Sequence, residues 1–207
     1  MMTILAIDSS TSVCSVALRR DGAALAEIVV GGRQAEALVP SVGAVLEQAG
    51  VGWPDISLIA VTVGPGSFTG LRIGLATARG LALARRLPVI GVATSDLIAH
   101  QAPPRRMLVA IDSKRTDLFV QPFDAERRPL AEIRALTPLQ ALEWQSGSLV
   151  VAGDAAEQFR GLRDDLDIQP IMPSAAALAA LAETRHRQGG GLPAQPLYVR
   201  PPDVTLP

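Results

Sequence analysis

Two aspartates stand at the ends of nearly identical strands. Ile4-Leu5-Ala6-Ile7-Asp8-Ser9 recurs 104 residues later as Leu108-Val109-Ala110-Ile111-Asp112-Ser113, and each aspartate opens a polar turn leading into a second apolar strand. Two such hairpins facing each other could embrace nucleotide phosphates. That chemistry wants glycine in the turns, so that backbone N–H groups approach the phosphates without an intervening Cβ. Here Asp8 is followed by Ser9-Ser10-Thr11, and Asp112 by Ser113-Lys114-Arg115. Hydroxyls and Lys114 could still touch an anion, but no glycine-rich adenosine loop accompanies them. Nucleotide hydrolysis by this chain alone is therefore disfavoured, and structural polar turns are the default reading.

A second candidate is the turn Gly64-Pro65-Gly66-Ser67-Phe68-Thr69-Gly70. Placed before a helix, it could hold an anion through N–H groups and the helix dipole. The anion or nucleotide contacts it suggests, with the first hairpin, are Asp8, Ser10, Gly66, Ser67, Thr69 and Arg72. No lysine follows to make a Walker loop, and a nucleophile elbow around Ser67 fails because Thr69 stands where glycine is needed. Ser67 is explained more simply as a helix cap. His100 and His186 are far apart and in no metal-binding pattern, and Cys14 is the only cysteine, so neither a zinc site, a thiolate cluster nor an internal disulfide is expected.

The elements that position these residues read clearly in places. Strands are expected over 3–7, 13–18 and 24–30 as an antiparallel meander, followed by a helix over Ala35–Ala49 with Leu38, Val42 and Val45 on one face and Pro40 as a kink or first-turn residue. Ile59–Val63 is a buried strand, and the helix from Gly70 to Arg86 follows its turn. In that helix Gly70, Gly74, Ala78 and Ala82 form a small-residue stripe, which either packs on the chain's own sheet or admits a partner helix. Arg72, Arg79 and Arg86, spaced by seven, form another stripe, read as salt-sensitive contacts to RNA or an acidic partner, or as a solvated face. A strand at 88–92 and a helix at 94–101 complete an order βββαβαβα. Ala102-Pro103-Pro104-Arg105 is the linker, giving lobes 1–103 and 104–207.

The second lobe repeats the pattern, with strands at 108–113, 118–123, 133–137 and 149–152 and helices at 138–144 and 175–187, so an internal duplication is the economical reading. Two lobes that each open on an Asp-bearing hairpin outline the α/β, two-lobed actin, sugar-kinase and Hsp70-like (ASKHA) fold, with a reduced second lobe. At 207 residues, 48% hydrophobic and 19% charged, the chain can bury a sizeable core. No run suits a membrane span and no signal-peptide pattern opens the chain, so a cytoplasmic location is expected. A net charge of −1 argues against a broad phosphate-binding surface, leaving any RNA contact local or shared.

The segments ILAIDSSTSVCSVAL, RQAEALVP, VGPGSFTGLRIGLATARGLA, PVIGVATSDLIA and PLYVRP resemble the TsaB (YeaZ) family, whose members serve threonylcarbamoyladenosine modification of tRNA. The resemblance covers most of the chain. It implies a scaffold without catalysis or cofactor of its own. Such a chain dimerises with and activates the paralogous catalytic subunit TsaD, which holds metal and nucleotide, and joins the ATPase TsaE. Together they modify the adenosine beside the anticodon of ANN-decoding tRNAs. A homodimer in isolation and a nucleotide at the interface are compatible with it. The family's docking helices map onto Ala35–Ala49 and Gly70–Arg86, so Arg33, Ala35, Leu38, Val42, Val45, Gly70, Leu71, Gly74, Leu75 and Ala78 are the expected partner contacts. Two departures touch this picture: Ala35 stands in a segment the family usually reads RQHSE, and Asp112-Ser113-Lys114 replaces an aspartate–alanine–arginine pattern. The competing reading is a nucleotide-using small-molecule kinase or ATPase, or a peptidase, of the same superfamily.

Overall fold

The computed structural model describes residues 1–32, 34–145, 147 and 149–200. Its first sheet is built from β1 (Thr3–Asp8), β2 (Val13–Arg20), β3 (Ala23–Gly31), β4 (Leu58–Gly64) and β5 (Val89–Ala93), in the order β3-β2-β1-β4-β5. The meander β1–β2–β3 is antiparallel, whereas β4 and β5 add in parallel beside β1. The second sheet comprises β6 (Met107–Asp112), β7 (Leu118–Phe123), β8 (Arg134–Leu136), β9 (Leu149–Gly153) and β10 (Leu166–Pro170). Its order, β8-β7-β6-β9-β10, repeats the first sheet strand for strand, with the same parallel and antiparallel pairings. The 104-residue repeat is thus a duplicated sheet.

The helices are not duplicated equally. α1 (Gln34–Ala49) and α2 (Phe68–Arg85) cover one face of the first sheet, and α3 (Thr94–Gln101) follows β5. In the second lobe α4 (Pro138–Glu143) corresponds to α1, and only a short 3-10 turn at Ala156–Phe159 stands where α2 would be. This is the reduction expected from the sequence. α5 (Ala175–Arg187) follows β10 as α3 follows β5.

These last helices cross over. α3 packs Ile98 and Ala99 into the core of the second sheet with Met107, Val109 and Ile111, while α5 packs Ala175, Leu178, Ala179 and Ala182 against Ile4, Ala6 and Leu58 of the first. The chain after α5 also returns to the first lobe: Gly91 and Leu192 exchange backbone hydrogen bonds, and the Leu197 N–H donates to the Val63 carbonyl. A division at 103/104 therefore separates the sheets but not the packing units, because residues 175–197 are built into the first lobe. Sequence reading gives no strand at 166–170; its LDIQP segment lacks an apolar run and pairs only along β9.

Candidate functional site

The Asp8 hairpin lies at the carboxyl end of β1, where a ligand site would be sought in an open α/β sheet. Asp8 is buried, and its Oδ1 accepts hydrogen bonds from Thr62 Oγ1 and Ser10 Oγ, both at 2.7 Å, and from the Ser10 N–H at 3.2 Å. Burial pushes this carboxyl up to about 6; the three hydrogen bonds oppose the rise and the Asp154 charge adds to it. Ser10 is also buried, so neither residue offers a group to solvent.

The turn that could have held an anion is filled by the chain itself. The Ser67 N–H donates to the Ser10 carbonyl at 2.7 Å, Ser67 Oγ caps the Gly70 N–H, and the Leu71 N–H donates to the Ser67 carbonyl. A Cβ on Gly66 would come within 2.0 Å of the Ser10 carbonyl oxygen, so glycine is required for the two turns to meet. Ser9 Oγ donates to the Gly70 carbonyl, and Gln34 Nε2 to the Thr11 carbonyl. The amino ends of α1 and α2 thus clamp the first hairpin. Ser67 acts as the predicted helix cap. Among the six expected anion contacts, only Thr69 and Arg72 are exposed.

The second hairpin is closed in a different way. Lys114 turns back, its N–H and Nζ both donating to the Asp112 carboxylate at 2.7 Å. Burial opposes it, but Lys114 holds the Asp112 carboxyl below its ordinary range. Asp154 accepts from the Asp112 N–H, and burial together with the Asp112 charge pushes its carboxyl up. Ser113 Oγ binds Asp117, which pairs with Arg200. The turn of the second hairpin is thus lined by Asp112 and Asp154, and the single lysine pairs with Asp112. Among the described residues no group of three or more His, Cys, Asp or Glu is placed to hold a metal ion.

The two-helix face differs from the expected one. Leu38, Val42, Val45, Gly70, Leu71, Gly74, Leu75 and Ala78 are all buried within the chain, most of them in the core beneath α1 and α2. The reason is close approach: a Cβ at Gly70 would lie 2.2 Å from the Ser9 carbonyl oxygen, and one at Gly74 would lie 2.2 Å from Ser9 Oγ. The small-residue stripe is spent on the chain's own first hairpin. Ala35 alone of the expected contacts is exposed, and Arg33 lies outside the described residues. What α1 and α2 show to solvent is the opposite face: Val39 (60% exposed), Pro40, Gly43 and Ala44 together with Glu36 and Glu47 on α1, and Thr69, Ala76 and Gly80 on α2. Gly43 and Gly80 open onto free space. Val39, out of phase with the buried Leu38, Val42 and Val45, is the signal in the sequence that could have found this face.

The family described as "TsaD: tRNA N6-adenosine threonylcarbamoyltransferase" matches residues 30–135, from the end of β3 into β8. The chain is 30% identical to the tRNA threonylcarbamoyladenosine biosynthesis protein TsaB of Escherichia coli (strain K12), the match covering 96% of this chain and 95% of that protein. It is 27% identical to TsaB of Haemophilus influenzae, over 96% and 94% of the two chains. Among solved structures, YeaZ from Pseudomonas aeruginosa superposes with a TM-score of 0.82 at 31% identity, covering 96% of this chain and all of that one. The ethanolamine utilization protein EutJ from Carboxydothermus hydrogenoformans, with a TM-score of 0.56 at 12% identity, shares the fold alone. With near-complete coverage at this identity, a duplicated sheet and the turn that clamps the Asp8 hairpin, the chain belongs to the TsaB (YeaZ) family of tRNA threonylcarbamoyladenosine biosynthesis proteins.

Proposed function

We propose that this chain is a non-catalytic subunit in the formation of threonylcarbamoyladenosine on tRNA, and that it docks and activates a TsaD-type catalytic subunit through the solvent face of α1 and α2. The observation that carries the reading is a pairing: turns whose Ser67, Gly70 and Leu71 N–H groups are already hydrogen-bonded within the chain and whose Lys114 pairs with Asp112, beside an exposed two-helix face on which Val39, Gly43, Ala44, Ala76 and Gly80 stand with the exposed Glu36 and Glu47. Small residues let helices of a partner approach closely, and Val39 supplies an apolar anchor. The similarity of residues 30–135 to the TsaD family supports a partner with a matching face, and hence a four-helix contact.

In this reading metal and nucleotide belong to the catalytic subunit, a TsaE-type ATPase joins the complex, and the work is done in the cytoplasm. The same helices would pair two copies of the chain when it is alone. No described helix is long and apolar enough to cross a membrane. Co-purification with the TsaD-type subunit tests the docking face. Val39→Asp together with Gly43→Arg should abolish it while leaving the unfolding transition intact, and undiminished co-purification would overturn the assignment. ATP turnover by the isolated chain, lost on Asp8→Ala, would overturn the non-catalytic reading.

A further inference from the structure

α2 has a second exposed flank, turned away from α1. α1 lies over β2 and β3, whereas this flank faces β5. Arg72 and Arg79 stand along it, both exposed and separated by two helical turns or about 10.5 Å, and Arg86, the exposed left-handed cap residue just past the end of α2, borders the same groove as Arg79. α2 contains no acidic residue, and among the described residues no carboxylate pairs with any of the three. Arg79 and Arg86 border an open groove of about 610 Å³ whose floor includes Leu83 and Val89. At the amino end of the flank the Arg72 guanidinium lies 3.7 Å from the centre of the Phe68 ring and donates to Tyr198 Oη at 3.4 Å. Phe68 and Tyr198 are 57% and 54% exposed, with ring centres 6.4 Å apart.

In the isolated chain these cations have no carboxylate partner among the described residues, and two large aromatic rings stay more than half exposed. They fit a ligand that is at once polyanionic and aromatic. Guanidinium groups bind phosphate oxygens in bidentate fashion, and exposed aromatic rings or guanidinium planes stack unpaired bases. An acidic protein surface would use the charges and leave the rings unexplained.

We propose that the Arg72–Arg79–Arg86 flank of α2, closed at one end by Phe68 and Tyr198, binds an RNA strand, the arginines taking backbone phosphates and the aromatic pair stacking one unpaired base. The proposal rests on the reading that this chain serves tRNA modification, and it places an RNA contact beside the protein-docking face. A local strip of this kind agrees with a net charge of −1.

Binding of an unmodified tRNA transcript, read by fluorescence anisotropy at several salt concentrations, tests it with the full chain alone and with the chain joined to its TsaD-type partner. Arg72→Glu, Arg79→Glu and Arg86→Glu together should weaken binding at least tenfold and lower the slope of log affinity against log salt by about 2, as expected for three lost single-strand phosphate contacts. Phe68→Ala with Tyr198→Ala should weaken binding at least fivefold with the slope unchanged. The triple Arg→Lys variant, which keeps the charges, should retain the slope. Unaltered tRNA binding in both variants, or no tRNA binding by wild type in either form, overturns the proposal. If the triple Glu variant instead loses the protein partner and keeps tRNA, the flank faces protein and the proposal also falls. Loss of co-purification in Val39→Asp, Gly43→Arg with tRNA binding preserved would leave the two surfaces separately established. A thermal unfolding midpoint within a few degrees of wild type qualifies each variant.

Discussion

Replacing Asp8 by Asn exchanges one oxygen of a buried carboxyl for an amide nitrogen and removes a titration from the middle of the first lobe. In the folded chain this carboxyl titrates near 6, against an ordinary value of 3.8. Between those two values the folded state keeps a proton that the unfolded state has released. Stability therefore falls as pH rises from about 4 to about 6, and is level beyond. At 1.36 kcal/mol per pKa unit the difference is worth about 3 kcal/mol at pH 7. That is a large share of the roughly 5–15 kcal/mol that holds a domain folded. Asn resembles the protonated acid: its Oδ1 can accept the same bonds from Thr62 Oγ1, Ser10 Oγ and the Ser10 N–H. Asp8→Asn should thus gain up to about 3 kcal/mol at pH 7 and little at pH 4. Urea unfolding of both proteins between pH 4 and 7.5 measures this. Asp112, lowered, titrates in both proteins and cancels, whereas Asp154 is coupled to Asp8 through charge, so the difference between the curves reports Asp8 together with that coupling. The buried amide donors add a cost that does not vary with pH, so a stability difference that stays constant between pH 4 and pH 6 would refute the electrostatic account.

Three other perturbations probe the framework. Gly74→Leu should destabilise the chain by at least about 2 kcal/mol in denaturant unfolding, because Ser9 Oγ occupies the space and cannot withdraw without losing the Gly70 carbonyl. Gly43→Ala meets no neighbouring atom, so it should raise stability by up to about 1 kcal/mol through helix propensity, yet weaken co-purification with the catalytic subunit if the docking face requires close approach. Glu183 is buried on α5 and bridges Arg19 of β2, at 2.6 Å, to Arg187. Glu183→Ala leaves Arg19 half-enclosed without its counter-charge and should cost about 3 kcal/mol, seen as a lower midpoint and faster hydrogen exchange in α5.

Much of the framework was legible because its signals are local. The repeat of ILAIDS as LVAIDS fixes two equivalent strands, and Ser67 beside Gly70 marks the start of α2. The solvent face proposed for docking was harder to read, and the reason is physical. Gly70, Gly74, Ala78 and Ala82 form the strongest periodicity on α2, and strong periodicity marks the side that is buried. In a chain whose first hairpin thrusts Ser9 toward the helix, small residues on that side are demanded by intramolecular contact. The exposed side carries a weaker pattern of Thr69, Ala76 and Gly80, which sequence alone cannot separate from an ordinary solvated face.

The placement of α5 was illegible for a different reason. Ala175, Leu178, Ala179 and Ala182 specify a narrow apolar face but not which sheet receives it. The answer comes from the duplication. In each lobe the helix after the last strand reaches the other sheet: α5 packs on the first, and α3 lies between the two, with Leu97 against the first and Ile98 and Ala99 against the second, and the two helices pack against each other. Arg185 of α5 pairs with Asp96 of α3 at 2.8 Å. A lobe cut at 103/104 would strip α5 from Ile4, Ala6 and Leu58 of the first sheet and leave Leu97 of α3 as their remaining helical cover, which is the physical case for treating the two lobes as a single cooperative unit.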